Sequence, residues 1–214
     1  MKTSRMPLLA MLLIVTFLIF PISAYALTYG VGGRDESTVN YQQSHGTYGL
    51  IEVYNASVPA SSSAHVGSLY VWDFSRSATT HAESGWVQFY RKSPQAFAAW
   101  YDYGTYGEYL GPNASLGGHS FKAVNILGTN QWQMYIDSNL LASHTYTHVP
   151  FSFGSSVVGS ERNTTQDQND SHFWDLQVFK NGAWNLWYSM TGFTDNDPDY
   201  YLNIKSSHDA YVTK

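Results

Sequence analysis

The stretch HAESGWVQFY, His81 to Tyr90, decides how the chain reads: it is rich in strand formers, yet its third residue is a glutamate. With a side-chain period of two, Glu83, Gly85, Val87 and Phe89 fall on one face, and Ser84, Trp86, Gln88 and Tyr90 on the other. Glu83 therefore sits on the more apolar face. An ionised carboxylate there is costly, and desolvation is expected to raise its pKa. Taken alone, the same residue also reads as a strand-end glutamate paired with His81 or Arg91.

Outward from this segment the same signal repeats. Strands are expected near 46–55, 65–74, 82–91, 96–103, 119–126, 131–137, 140–147, 151–159, 172–179, 184–190 and 199–204, and no stretch sustains an apolar period of 3.6. Two hairpins stand out, one turning at Gly128–Asn130 and one at Asp137–Asn139. About eleven regularly spaced strands predict an all-β chain folded as a two-sheet antiparallel β-sandwich. Residues 26–43 are weakly periodic and are expected to give an edge strand plus a loop.

The chain of 214 residues opens with Lys2 and Arg5, an apolar run from Leu8 to Phe20, and Ala24-Tyr25-Ala26. This order predicts a signal peptide over 1–26, and hence a secreted, extracellular protein. An N-terminal segment, 27–45, and one β-sandwich domain, 46–214, follow. The apolar run is shorter than the roughly 20 residues that a bilayer requires, so no membrane association is expected. The chain has no cysteine, which excludes disulfides, thiolate metal sites and a cysteine nucleophile. Its net charge is −5, and losing Lys2 and Arg5 makes it −7, which disfavours nucleic acid as a partner. Aromatic residues (16%) outnumber charged ones (13%), as suits a protein with aromatic sheet faces.

The glutamates are Glu36, Glu52, Glu83, Glu108 and Glu161. Glu161, in SSVVGSERNTTQ, comes directly after an expected strand in a Gly-Ser-rich context. Strands distant in sequence can pair in one sheet and bring two such residues together. Two carboxyls in one cleft separate their pKa values, one becoming an acid and the other a base, which is the logic of metal-free water activation.

Glu83-Ser84-Gly85-Trp86 followed by Phe97-Ala98-Ala99-Trp100-Tyr101-Asp102-Tyr103 resembles the eqolisin glutamic peptidases, in which a Gln-Thr-Gly strand precedes an Ala-Trp-Tyr-Glu-Trp strand. A glutamate in place of that glutamine resembles the neprosin branch and its Glu-Ala-Gly-Trp motif. Asn130-Gln131-Trp132, Tyr135-Ile136-Asp137, Leu140-Leu141, Phe151 to Phe153 and Val157 to Glu161 are similar to neprosin in order and spacing. The resemblance covers about residues 65–165. It implies a concanavalin- or lectin-like jelly roll, an acid-acting endopeptidase cleaving polypeptides, and Glu83 with Glu161 as the catalytic pair. It further implies Trp72, Trp100 and Asp102 as substrate-binding residues, and neither a metal nor a cofactor. Two positions depart from the pattern: Gly159-Ser160 precedes Glu161 where neprosin has two glycines, and Val87 stands where eqolisins carry an acidic residue.

Other readings compete. A lectin-like carbohydrate-binding sandwich would use the aromatic faces and leave both glutamates idle, and a sandwich glycoside hydrolase would use the same two carboxyls. His144 and His148 lie too far apart on a strand to share a metal. Asp195, Asp197 and Asp199 alternate like calcium ligands but lack the loop glycine and terminal glutamate, so a solvated acidic turn is expected. No Gly-x-Ser-x-Gly elbow is present. A monomer is expected.

Overall fold

Ala64–Trp72 is buried along nearly its whole length, on both faces, which requires a central strand covered on each side. The computed structural model describes residues 29–39, 43–61, 63–75 and 80–214, and the expected signal peptide lies outside them. The strands are β1 (Tyr29–Asp35), β2 (Gly46–Val53), β3 (Ala64–Trp72), β4 (His81–Phe89), β5 (Gln95–Asp102), β6 (Thr105–Asn113), β7 (Gly117–Asn125) and β8 (Gln131–Ile136). They continue with β9 (Asn139–Thr145), β10 (Ser155–Arg162), β11 (Ser171–Lys180), β12 (Ala183–Leu186), β13 (Met190–Asp195), β14 (Tyr201–Ser206) and β15 (Asp209–Thr213). A single helical turn, α1 (Glu36–Val39), follows β1.

Two antiparallel sheets result. One runs β13-β1-β10-β3-β4-β5-β6, and the other β14-β15-β11-β2-β7-β8-β9 with β12 paired to β11. Between them Leu69, Val71, Ala82, Trp86, Ala98 and Val158 of the first sheet meet Ile51, Phe121, Trp132, Met134, Phe173 and Leu176 of the second. The two-sheet sandwich expected from the strand pattern is what forms. Trp86 is fully buried, with its ring 4.8 Å from that of His65 and 5.2 Å from that of Tyr54. Burial drives the pKa of His65 down to about 3, so this core histidine is neutral.

The second hairpin turns through Asp137 and Ser138, both at positive φ, the primed geometry that matches strand twist. The structure adds strands at 190–195 and 209–213 that the sequence reading did not expect, and it differs from that reading in three placements. β1 lies between β10 and β13 and is not an edge strand. β6 forms one edge of the first sheet and β13 the other, although Gly107, Gly111 and Pro112 in β6 read as strand breakers. A Cβ on Gly107 would stand 2.4 Å from the Trp100 ring, so this glycine makes room for that indole. β10 extends to Arg162, which puts Glu161 inside a strand, with a defined face.

Candidate active site

Pairing fixes which side chains share a face. Tyr70 of β3 is opposite Glu83 of β4, and Val66 of β3 is opposite Glu161 of β10. Positions 66 and 70 have the same parity, so both glutamates rise from one face of the first sheet, the face turned away from the core. They are two strands apart and four residues offset, roughly 10 Å across and 13 Å along an ideal flat sheet. The interval is spanned by Tyr70. Its ring leans toward β10, and a Cβ on Gly159 would lie 3.6 Å from both its Cε1 and its hydroxyl oxygen.

Glu161 forms one wall of a pocket of about 120 Å³, lined also by Tyr29, Gly30, Tyr70, Trp72, Phe193 and Asp195. Its stem leans over Gly30, where a Cβ would stand 3.6 Å from Glu161 Cγ and 3.8 Å from Asp195 Cβ. Burial, then the charge of Glu83, then that of Asp195 push the Glu161 carboxyl up from 4.5 to about 8. Glu161 is thus protonated through the acid and neutral range. Glu83 lies 3.4 Å from His81 Nε2, while Arg91 turns away over the Tyr90 ring. Of the two local partners considered from sequence, the histidine is the one at hand.

The sequence motifs acquire physical reasons. Gly85 faces the site, and a Cβ there would come within 2.7 Å of the Ser68 backbone, so β3 and β4 approach too closely for a side chain. Ser160 points the other way, toward the core, and donates to Asn169 Oδ1 at 2.7 Å. A serine is accommodated there because its hydroxyl is paired, whereas Gly159 faces the site and carries the Tyr70 ring.

Trp72 is on the face of the two glutamates and lines the Glu161 pocket, stacked on Phe74 with centroids 4.6 Å apart. Trp100 and Asp102 do share a face, but it is the opposite one. Trp100 is opposite Ala82, which points into the core, and it stacks on His144 at 4.8 Å. Asp102 is 3% exposed and accepts from the amides of Thr147 and His148. These two residues cannot form a substrate wall beside the glutamates, because the sheet itself stands between. Burial alone would raise the Asp102 pKa; the two amides and the His148 ring outweigh it and hold the carboxyl below its ordinary value. His144 and His148 meet at Asp102, at 3.6 and 3.0 Å, and no cluster able to hold a metal occurs among the described residues.

Sequence reasoning missed Tyr70, Asp195 and Glu108. Glu108 shares a row with Ala99 and Glu83 and accepts a hydrogen bond from Tyr106 at 2.6 Å. Tyr70 had a signal, being two residues before Trp72 in the same strand. The acidic turn expected at 195–199 divides its work. Asp195 faces Glu161, while Asp197, 6% exposed, binds Arg162 through both carboxylate oxygens at 2.7 and 2.9 Å.

A larger cleft of about 710 Å³ lies on the second sheet, lined by Glu52, Asp170, His172, Asn203, Asp209 and Tyr211 among others. It holds neither Glu83 nor Glu161.

No protein-family model and no curated protein matches the chain. Solved structures do. Scytalido-glutamic peptidase bound to a peptide-based transition-state analogue superimposes with a TM-score of 0.60 at 11% identity, covering 88% of this chain and 98% of that one. SCP-B, a member of the eqolisin family of peptidases in complex with the tripeptide Ala-Ile-His, gives 0.58 at 12% identity with the same coverage. This chain has the fold of the eqolisin glutamic peptidases. At such identities the likeness is one of fold, and the eqolisin fold is the one that the Glu-Ser-Gly-Trp and Ala-Trp-Tyr-Asp strands resemble.

Proposed function

We propose that the protein is an exported, acid-acting glutamic endopeptidase in which Glu83 and Glu161 activate water for peptide-bond hydrolysis. The observation that carries this reading is the placement of the two carboxyls on one sheet face, where burial and the charge of Glu83 raise the Glu161 pKa. The pair then divides its roles by environment. Glu83 takes a proton from water as that water attacks the scissile carbonyl. Glu161 hydrogen-bonds the carbonyl oxygen and passes its proton to the leaving amine when the tetrahedral intermediate collapses. The proton gained by Glu83 restores the pair. A mechanism that needs one shared proton fails once Glu161 ionises, which favours acidic and neutral media. Export is supported by the order of basic, apolar and small residues at the N-terminus.

The aromatic faces also suit a lectin-type reading, but such a reading gives no role to the raised Glu161 carboxyl. The test is digestion of a denatured protein between pH 3 and 6 by wild type, Glu83→Gln and Glu161→Gln. Wild type is expected to cleave, and each variant to lose roughly 10²–10⁴-fold, the range for a general acid or base. Cleavage by either variant at more than a tenth of the wild-type rate would overturn the assignment.

A further inference from the structure

β3 passes between the strands that carry the two glutamates, and it brings Ser68 and Tyr70 to the same face. By contrast, Tyr54 donates to Asp170 O and Tyr146 to His81 O. Tyr70 is only 6% exposed, yet its hydroxyl has no hydrogen-bond partner among the described residues. It points along Gly159 into the pocket of Glu161, and the absent Cβ at 159 leaves it reachable from there. Beneath it the Ser68 hydroxyl, 0% exposed, is also unpartnered. The Tyr70 hydroxyl opens on the pocket and is committed to no protein acceptor, so it is free to donate to a group that enters beside Glu161. Desolvation and the charges of Glu161 and Glu83 keep the phenol protonated far into the alkaline range, so the group is always a donor.

We propose that Tyr70 is a further catalytic residue, its hydroxyl donating a hydrogen bond to the scissile carbonyl oxygen as that oxygen gains charge. The inference rests on the peptidase reading and adds a second donor beside Glu161. No bond to Tyr70 forms or breaks: its proton stays on the phenol while the oxyanion appears and collapses. The donor is preorganised, because the ring is fixed between Trp72, His81 and Gly159 before substrate arrives.

The experiment is Tyr70→Phe, measured for kcat, KM and thermal stability, with inhibition by a phosphinic peptide whose tetrahedral oxygens stand in for the oxyanion. Expected are a kcat lower by about 10²-fold, the usual cost of one oxyanion donor, and a KM within about threefold. Phosphinate binding should weaken by a factor similar to that in kcat, and stability should equal or exceed that of wild type because no internal hydrogen bond is lost. Wild type that cleaves, with Tyr70→Phe within threefold of it in kcat, overturns the role of Tyr70 and leaves the glutamate pair standing. A destabilised variant with unchanged kcat shows a structural hydroxyl and overturns it equally. Wild type without peptidase activity removes the reading on which the inference rests, and the inference with it.

Discussion

Arg162, the residue after Glu161, gives the sharpest stability prediction. Its side chain turns to the core side of β10, is 0% exposed, and fills every donor position. Nε and Nη2 bond Asp197 at 2.9 and 2.7 Å, Nη1 bonds the carbonyls of Thr165 and Asp167 at 2.8 and 3.0 Å, and Nη2 also meets Asp199 at 3.0 Å. Asp197 in turn accepts from Asn169 Nδ2 and from the amides of Asp199 and Tyr200. Asp197→Ala strips a buried guanidinium of its principal counter-charge, a loss of about 3–5 kcal/mol. For a domain of this size that is a fall of roughly 10 °C or more in Tm. Arg162→Met combined with Asp197→Ala should cost much less than the sum of the two, since neither partner is then left charged and alone. Urea denaturation of wild type, both single variants and the double variant closes the cycle. A cost below about 1 kcal/mol for Asp197→Ala, or additive single costs, would refute the clamp.

Two further outcomes follow from the ionisation of the site and its surroundings. The Glu161 carboxyl is raised in the folded state, so its contribution to stability is complete below its unfolded pKa and is lost as pH rises through the folded value near 8. A rise from 4.5 to about 8 has a ceiling of roughly 5 kcal/mol; with the pocket open to water we expect Glu161→Gln to match wild type at pH 4 and exceed it by about 2–3 kcal/mol at pH 9, and parallel pH profiles would contradict this. Asp102 is held below its ordinary value, so its contribution is present above that range and disappears as pH falls through it. Asp102→Asn is expected to cost about 1–3 kcal/mol at pH 7, a difference that narrows toward pH 2, and to leave peptide cleavage within a few-fold of wild type, because Asp102 faces away from the glutamates.

The sandwich was legible wherever local chemistry agreed with it: period-two runs gave β2 to β5, and the Asp137-Ser138 turn gave the β8–β9 hairpin. β6 was hidden because its glycines and proline answer to Trp100 and to the sheet edge, not to a turn. The interior position of β1 was hidden because its partners, β10 and β13, lie more than a hundred residues away. Parity grouped Glu83 with Gly85 and Val87, but the face they share is the one turned away from the main core, and Trp86 faces inward instead. Parity also placed Trp100 and Asp102 together, but it cannot say which face meets the core, and that decision belongs to the second sheet. Asp195 reaches Glu161 only through the closure of β13 against β1, and Asp197 finds Arg162 by the same route. Neither has a signature in its own neighbourhood beyond an alternation that reads as solvated.

We propose that Glu83 and Glu161 act as one pair, with the proton held by Glu161. Carboxyl carbon NMR titration of Glu161, in wild type and in Glu83→Gln, tests it most directly. Expected are a Glu161 pKa raised toward about 8 in wild type and a clear fall when the Glu83 charge is removed, with the value staying above 4.5 because burial persists. A Glu161 that titrates near 4.5 in wild type, or whose pKa is indifferent to Glu83, would contradict it.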